Sequence, residues 1–195
     1  WNTIQTLTNK VLSFIFLLIM ARILQPKDYG IVGLVAVFII IADAFIDSGF
    51  GQALVRKQNR TRVDESTVFY FNIVASIGCY LILFVIAPLV GEFYNIPELS
   101  SILRVLGIRL VISSFSSIHV LKYSIDLNFK ILSIVYITSN FLSGTTGIVL
   151  AYNGFGVWAL VFQQVSYSII SAIIFNVVSR WKPIWDFSWK SFHEM

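Results

Sequence analysis

The sequence predicts an all-α membrane protein, six transmembrane helices joined by short loops, and three observations carry that prediction. Of 195 residues, 57% are apolar and only 12% charged, roughly half the charged share of a soluble domain. Mean hydropathy is +0.81. The apolar residues fall into six stretches, most near the ~20 residues that cross roughly 30 Å of hydrocarbon at about 1.5 Å per residue. The net charge of +4 does not indicate a nucleic-acid binder, because the basic residues lie between apolar blocks and gather on no single face. Cys79, inside an apolar run, gives neither a disulfide framework nor a CxxC motif. No metal or cofactor is expected.

The first span covers about residues 1–24. Only Val11 to Leu24 is strongly apolar, so the helix must reach back to about Thr6 or earlier, which puts Lys10 inside or at the edge of the bilayer. The remaining spans run at about 29–55, 67–93, 100–121, 131–152 and 157–179. Short links containing Pro26, Pro97 and Gly154 leave room only for antiparallel neighbours. Pro88 should bend the third span near one face. Tyr29-Gly30-Ile31-Val32 and Phe155-Gly156-Val157-Trp158 open two spans alike, which the shared needs of an interface explain without a duplication. Residues 1–182 thus read as one six-helix lobe. Residues 183–195, with Trp185, Phe187, Trp189 and Phe192, read as an interfacial linker.

Orientation follows from where Lys and Arg sit, since positive loops stay cytoplasmic. Arg56, Lys57, Arg60, Arg62, Lys122, Lys130, Arg180, Lys182 and Lys190 fall on one side, against Arg22 and Lys27 on the other. Both ends are therefore expected in the cytoplasm. Trp1 is not an initiator Met and the last residues carry no stop signal, so the chain is expected to be an interior stretch of a longer membrane protein.

A charge at the bilayer centre costs at least about 2.5–3.5 kcal/mol, so each intramembrane ionisable residue needs a partner, a wet cavity or a function. Arg109 lies roughly 14 Å into the fourth span, too deep to snorkel easily. Ser113, Ser116 and Ser117 follow it at helical spacing and make a polar stripe. Arg109 reads either as a cavity cation for an anionic group in transit or as half of an internal ion pair. Asp43 and Asp47, four apart on one face of the second span, could bind a coupling ion, pair with Arg109 or Lys10, or, for Asp47, organise a helix end. Lys10 shares a polar helix start with Asn2, Thr3, Gln5, Thr6, Thr8 and Asn9, a segment that wants water. Arg104 can reach an interface and reads as an anchor.

Ser139, Ser143, Gly147 and Ala151 recur every four residues as a small-residue ridge for close helix approach. Asn72, Ser76, Tyr80, Gln163, Ser166 and Asn176 could line a path or make interhelical hydrogen bonds. No enzyme site emerges: His119 and His193 are far apart, and HExxH, GxSxG and phosphate-loop patterns are absent from the sequence.

Five segments taken together, ARILQPKDYGIVGL (21–34), DSGFGQALVRKQNRT (47–61), APLVGEFYNIPEL (87–99), DLNFK (126–130) and YNGFGVWALVFQQ (152–164), resemble the polysaccharide-transporter family. These are the Wzx-type flippases of lipid-linked oligosaccharides, within the multidrug/oligosaccharidyl-lipid/polysaccharide (MOP) superfamily. The resemblance implies a protein about twice this length with 12–14 spans in two lobes, of which this chain is the N-terminal one. It implies a bacterial plasma (inner) membrane location, a polyprenyl-diphosphate-linked oligosaccharide as substrate, membrane lipids and the second lobe as partners, and export by alternating access for O-antigen, capsule or exopolysaccharide. A diphosphate cannot cross hydrocarbon unpaired. The candidate cavity cations are Arg109 and Lys10, with Asp43 and Asp47 for ion coupling or charge tuning and Ser113, Ser116, Asn72 and Gln163 as polar lining. The alternatives are a multidrug or cation antiporter, which wants an acid in the first helix where this chain has Lys10, and a membrane-embedded polymerase, which wants a large outer loop.

Overall fold

A computed structural model describes residues 2–47, 51, 54, 61–179, 183 and 184, with side chains from residue 6 onward. Its six long helices are α1 (Asn2–Ala21), α2 (Pro26–Ile46), α3 (Arg62–Phe93), α4 (Pro97–Ile125), α5 (Phe129–Tyr152) and α6 (Val157–Val178). No strand occurs among the described residues. Five of the six, α2 to α6, are long and apolar enough to cross a membrane, while in α1 the apolar part is Thr6–Ala21. That agrees with a first helix whose start is polar.

Local chemistry explains the ends. Pro26 opens α2, where its missing N–H costs nothing, and the Asp28 carboxylate accepts from the Gln25 N–H at 3.0 Å. Thr61 and Asp64 form a reciprocal capping box, Thr61 N–H to Asp64 Oδ2 at 2.9 Å and Asp64 N–H to Thr61 Oγ1 at 3.2 Å, so α3 starts at Arg62 and not at 67. Pro97 likewise starts α4 before the expected residue 100. The link from α5 to α6 turns on Gly154 and Gly156, whose φ of 81° and 54° a side chain would resist. The second span is corrected most: α2 stops at Ile46, and Asp47 is its C-cap, its N–H donating to Asp43 O at 2.8 Å. The expected extension to residue 55 falls largely outside the described residues. α3 continues through Pro88 to Phe93.

α4 is the axis of the bundle, packed on α2, α3, α5 and α6. Leu99, Ile102, Leu103, Leu106 and Leu110 of α4 meet Val35 and Ile39 of α2, Leu83 and Ala87 of α3, and Val157 and Val161 of α6 in one buried core. The outward faces are equally apolar. Val37, Ile40 and Phe45 of α2 and Val74, Val85 and Leu89 of α3 are all more than half exposed, as suits surfaces in lipid. The small-residue ridge of α5 is buried along its length, with Ser139 0%, Ser143 2% and Ala151 3% exposed. A Cβ on Gly147 would lie 3.0 Å from Gln163 Cβ on α6, and one on Gly144 would enter the Phe16 ring of α1. Arg104 lays its guanidinium 4.4 Å over the Phe84 ring.

One end of the bundle gathers the C-termini of α2, α4 and α6 with the N-termini of α3 and α5. Arg62, Lys122 and Lys130 lie there, Lys122 pairs with Glu65 at 3.7 Å, and the Ile184 N–H returns to Ser66 Oγ at 3.0 Å. The rest of the expected linker, with Trp185, Phe187, Trp189 and Phe192, lies outside the described residues, as do Arg56, Lys57 and Arg60.

Candidate functional site

Arg109 stands two residues from the middle of α4, where neither end of the helix offers a water layer within easy reach. Its guanidinium is held on two sides: Nη2 lies 3.2 Å from Asp43 Oδ2 on α2, and Nη1 donates to Gln164 Oε1 on α6 at 3.1 Å. The expected alternatives therefore meet in one geometry. Arg109 has an internal carboxylate partner, yet its side chain is 29% exposed and that of Asp43 41%. The pair is not sealed.

Two cavities flank it. The larger, about 590 Å³, occupies the basic end of the bundle, between the last turn of α2, the first turns of α3 and the later halves of α4 and α6. Asp43, Asp47, Asn72, Ser113 and Ser116 all line it. Asn72 donates to Ser117 Oγ at 3.2 Å across the α3–α4 seam, so it both lines the cavity and ties two helices. The smaller, about 460 Å³, lies between α1, α5 and α6 and is lined by Arg109, Gln163, Gln164, Asn140 and Asn9, among others. Asn140 closes its edge, donating to Asn9 Oδ1 at 3.3 Å and Ser13 Oγ at 3.0 Å. Tyr136 and Tyr167 line both cavities. Together with the Arg109–Asp43 pair they mark the boundary between the two.

The structure brings seven of the eight sequence-predicted site residues to these cavities and leaves one apart. Lys10 is exposed on α1, lines neither cavity, and has no ion pair among the described residues. Gln164, Tyr136 and Tyr167 were not foreseen. The Gln163-Gln164 pair was a visible signal; which glutamine meets Arg109 is fixed by the roll of α6. His119 is buried at 3% exposure. Among the described residues no three His, Cys, Asp or Glu side chains group as a metal site.

Comparison with known proteins adds a second line of observation. The sequence profile of the family described as "Polysaccharide biosynthesis protein" matches residues 19–195. The teichuronic acid biosynthesis protein TuaB of Bacillus subtilis is 24% identical over 189 residues, 96% of this chain and 39% of that protein. The succinoglycan biosynthesis transport protein ExoT of Rhizobium meliloti is 24% identical over 96% of this chain and 38% of its own. The lipopolysaccharide biosynthesis protein WzxC of Escherichia coli is 22% identical over 57% of this chain and 23% of its own. The chain spans about two-fifths of the length of TuaB and ExoT. No solved structure matches it.

Proposed function

Because the chain belongs to the polysaccharide biosynthesis protein family, we propose that it is one lobe of a flippase that exports a polyprenyl-diphosphate-linked oligosaccharide across a bacterial inner membrane by alternating access. The second lobe, from the remainder of a longer chain, would close the cavities from the other side. Relatives named for teichuronic acid biosynthesis, succinoglycan transport and lipopolysaccharide biosynthesis support a glycan substrate. Both ends of the lobe are read as cytoplasmic, so the larger cavity faces the compartment where lipid-linked sugars are made.

The observation that carries the reading is the state of Arg109. A guanidinium has five N–H donors in a planar fork that suits phosphate oxygens. Here one contact goes to Asp43 and one to Gln164, which leaves donors free beside a cavity at mid-membrane depth. Asp43 keeps the cation compensated while the site is vacant, and an arriving diphosphate competes with that carboxylate for the same fork. Departure of the diphosphate restores the pair. Lys10, exposed on α1 and lining neither cavity, would serve as a second cation only outside these two cavities, and Asp47 at the α2 terminus tunes the field at the cavity mouth.

The test uses the full-length protein in cells that depend on it for export. Arg109→Gln should cut export of the lipid-linked repeat unit at least about tenfold, equivalent to roughly 1.4 kcal/mol, with normal membrane abundance, and Arg109→Lys should keep part of it. Normal export by Arg109→Gln would remove the proposed role.

A further inference from the structure

The hydrogen-bonding character of the larger cavity wall indicates what can fill it. A serine hydroxyl has one proton to donate and two lone pairs with which to accept. Six of the seven serines that line this wall have already committed that proton, while Asn72, Tyr136 and Tyr167 carry donors of their own. Ser113, Ser114, Ser117 and Ser124 donate to the carbonyls of Leu110, Val111, Ser114 and Val120 on α4. Ser168 and Ser171 donate to those of Gln164 and Ser168 on α6. What these hydroxyls still offer the cavity is acceptance. The carboxylates of Asp43 and Asp47 add further acceptors, and among the described residues no Lys or Arg lines this cavity.

Ser116 departs from the pattern. It is 6% exposed, its Oγ has no hydrogen-bond partner among the described residues, and it lines the same cavity. A buried hydroxyl without a partner is costly, and this one belongs to a residue that borders the cavity. Phe175 is fully buried between Tyr123, stacked on it at 6.3 Å, and Tyr136, edge-on at 6.0 Å, so it holds Tyr136 in place at the cavity boundary and offers no ring face of its own. The smaller cavity has the opposite bias. It presents the Arg109 guanidinium and the amide N–H groups of Gln164, whose oxygen Arg109 already occupies.

We propose that the larger cavity receives the carbohydrate head of the substrate, that it accepts neutral or amino sugars, and that it rejects uronic acids. Hydroxyl and ammonium groups donate to a wall rich in acceptors; a sugar carboxylate offers acceptors only and would face Asp43 and Asp47. This rests on the flippase reading and adds a division of labour to it. The diphosphate lies at Arg109 on the donor side, and the sugar lies on the acceptor side of Tyr136 and Tyr167.

Full-length protein in proteoliposomes is offered two polyprenyl-diphosphate monosaccharides of equal size, one an N-acetylhexosamine and one a hexuronic acid. The neutral lipid should move at least about tenfold faster, and Asp47→Asn should narrow that ratio. Equal rates, faster movement of the uronate, or a ratio that Asp47→Asn leaves unchanged would overturn the selectivity while leaving the flippase reading intact. Movement of neither lipid contradicts the flippase reading, and saturation-transfer NMR with the free methyl glycosides then decides the cavity chemistry on the same purified protein. Saturation of the neutral glycoside alone upholds it. Equal saturation of both, or of neither, overturns it.

Discussion

Arg109 and Asp43 are best understood as mutual hosts. Each charge would be expensive in hydrocarbon, and each makes the other tolerable. Breaking a fully buried pair costs roughly 3–5 kcal/mol; this one is partly exposed, so the cost should be smaller but visible. Asp43→Asn is expected to lower the amount of folded protein in the membrane, read by quantitative immunoblot, because the guanidinium loses its charge partner. Adding Arg109→Gln should restore the amount and leave export abolished. Export by that double variant would reduce the pair to a structural role. At this scale the sequence was informative where one helix decides the matter: α-helical spacing puts Arg109, Ser113 and Ser116 on one polar stripe, along which Ser113 and Ser116 line the larger cavity and Arg109 the smaller. It was uninformative where two helices must agree. Successive residues point about 100° apart, so Gln163 meets Gly147 of α5 while Gln164 turns to Arg109. Lys10 sits in a helix start that is polar on all sides, and no periodicity could assign it a face.

The elements are held by shape more than by polarity, as expected where lipid removes the hydrophobic drive between helices. α5 is the clearest case, its ridge of small residues admitting Phe16 from α1 and Gln163 from α6. Gly144→Ala should therefore destabilise the lobe by about 1–3 kcal/mol, the usual cost of overpacking a filled core. Gly78→Ala, where an added Cβ meets nothing within 4 Å, should be neutral or stabilise by about 0.5–1 kcal/mol through helix propensity. Denaturant titration of the purified full-length protein compares them, and equal stabilities would contradict the packing described. The ridge was legible as a four-residue repeat. The helix starts were less so, because hydropathy marks where a helix is greasy and not where its hydrogen bonds begin. Thr61-Arg62-Val63-Asp64 carried the capping signal that moves α3 back to Arg62. The end of α2 at Ile46 carried none, since apolar and glycine-containing sequence runs on past Asp47.

At the scale of the whole molecule, the basic end of the bundle and the larger cavity coincide. The same six-helix count that follows from hydropathy also sets which helix ends meet there, so the location of the cavity was implicit in the topology even though its lining was not. If the basic loops are cytoplasmic, as we propose from their Lys and Arg content, then the serine stripe of α4 is wetted from the cytoplasm. Accessibility labelling measures this directly. In the full-length protein freed of other cysteines, with Cys79→Ala, a membrane-impermeant thiol reagent is applied to inside-out and right-side-out vesicles carrying Ser113→Cys or Val85→Cys. Ser113→Cys should react from the cytoplasmic side, and Val85→Cys, which is 70% exposed on the apolar face of α3, should react from neither. Silence of Ser113→Cys from both sides would mean that Arg109 and its neighbours border no wet chamber, contradicting the site at its foundation.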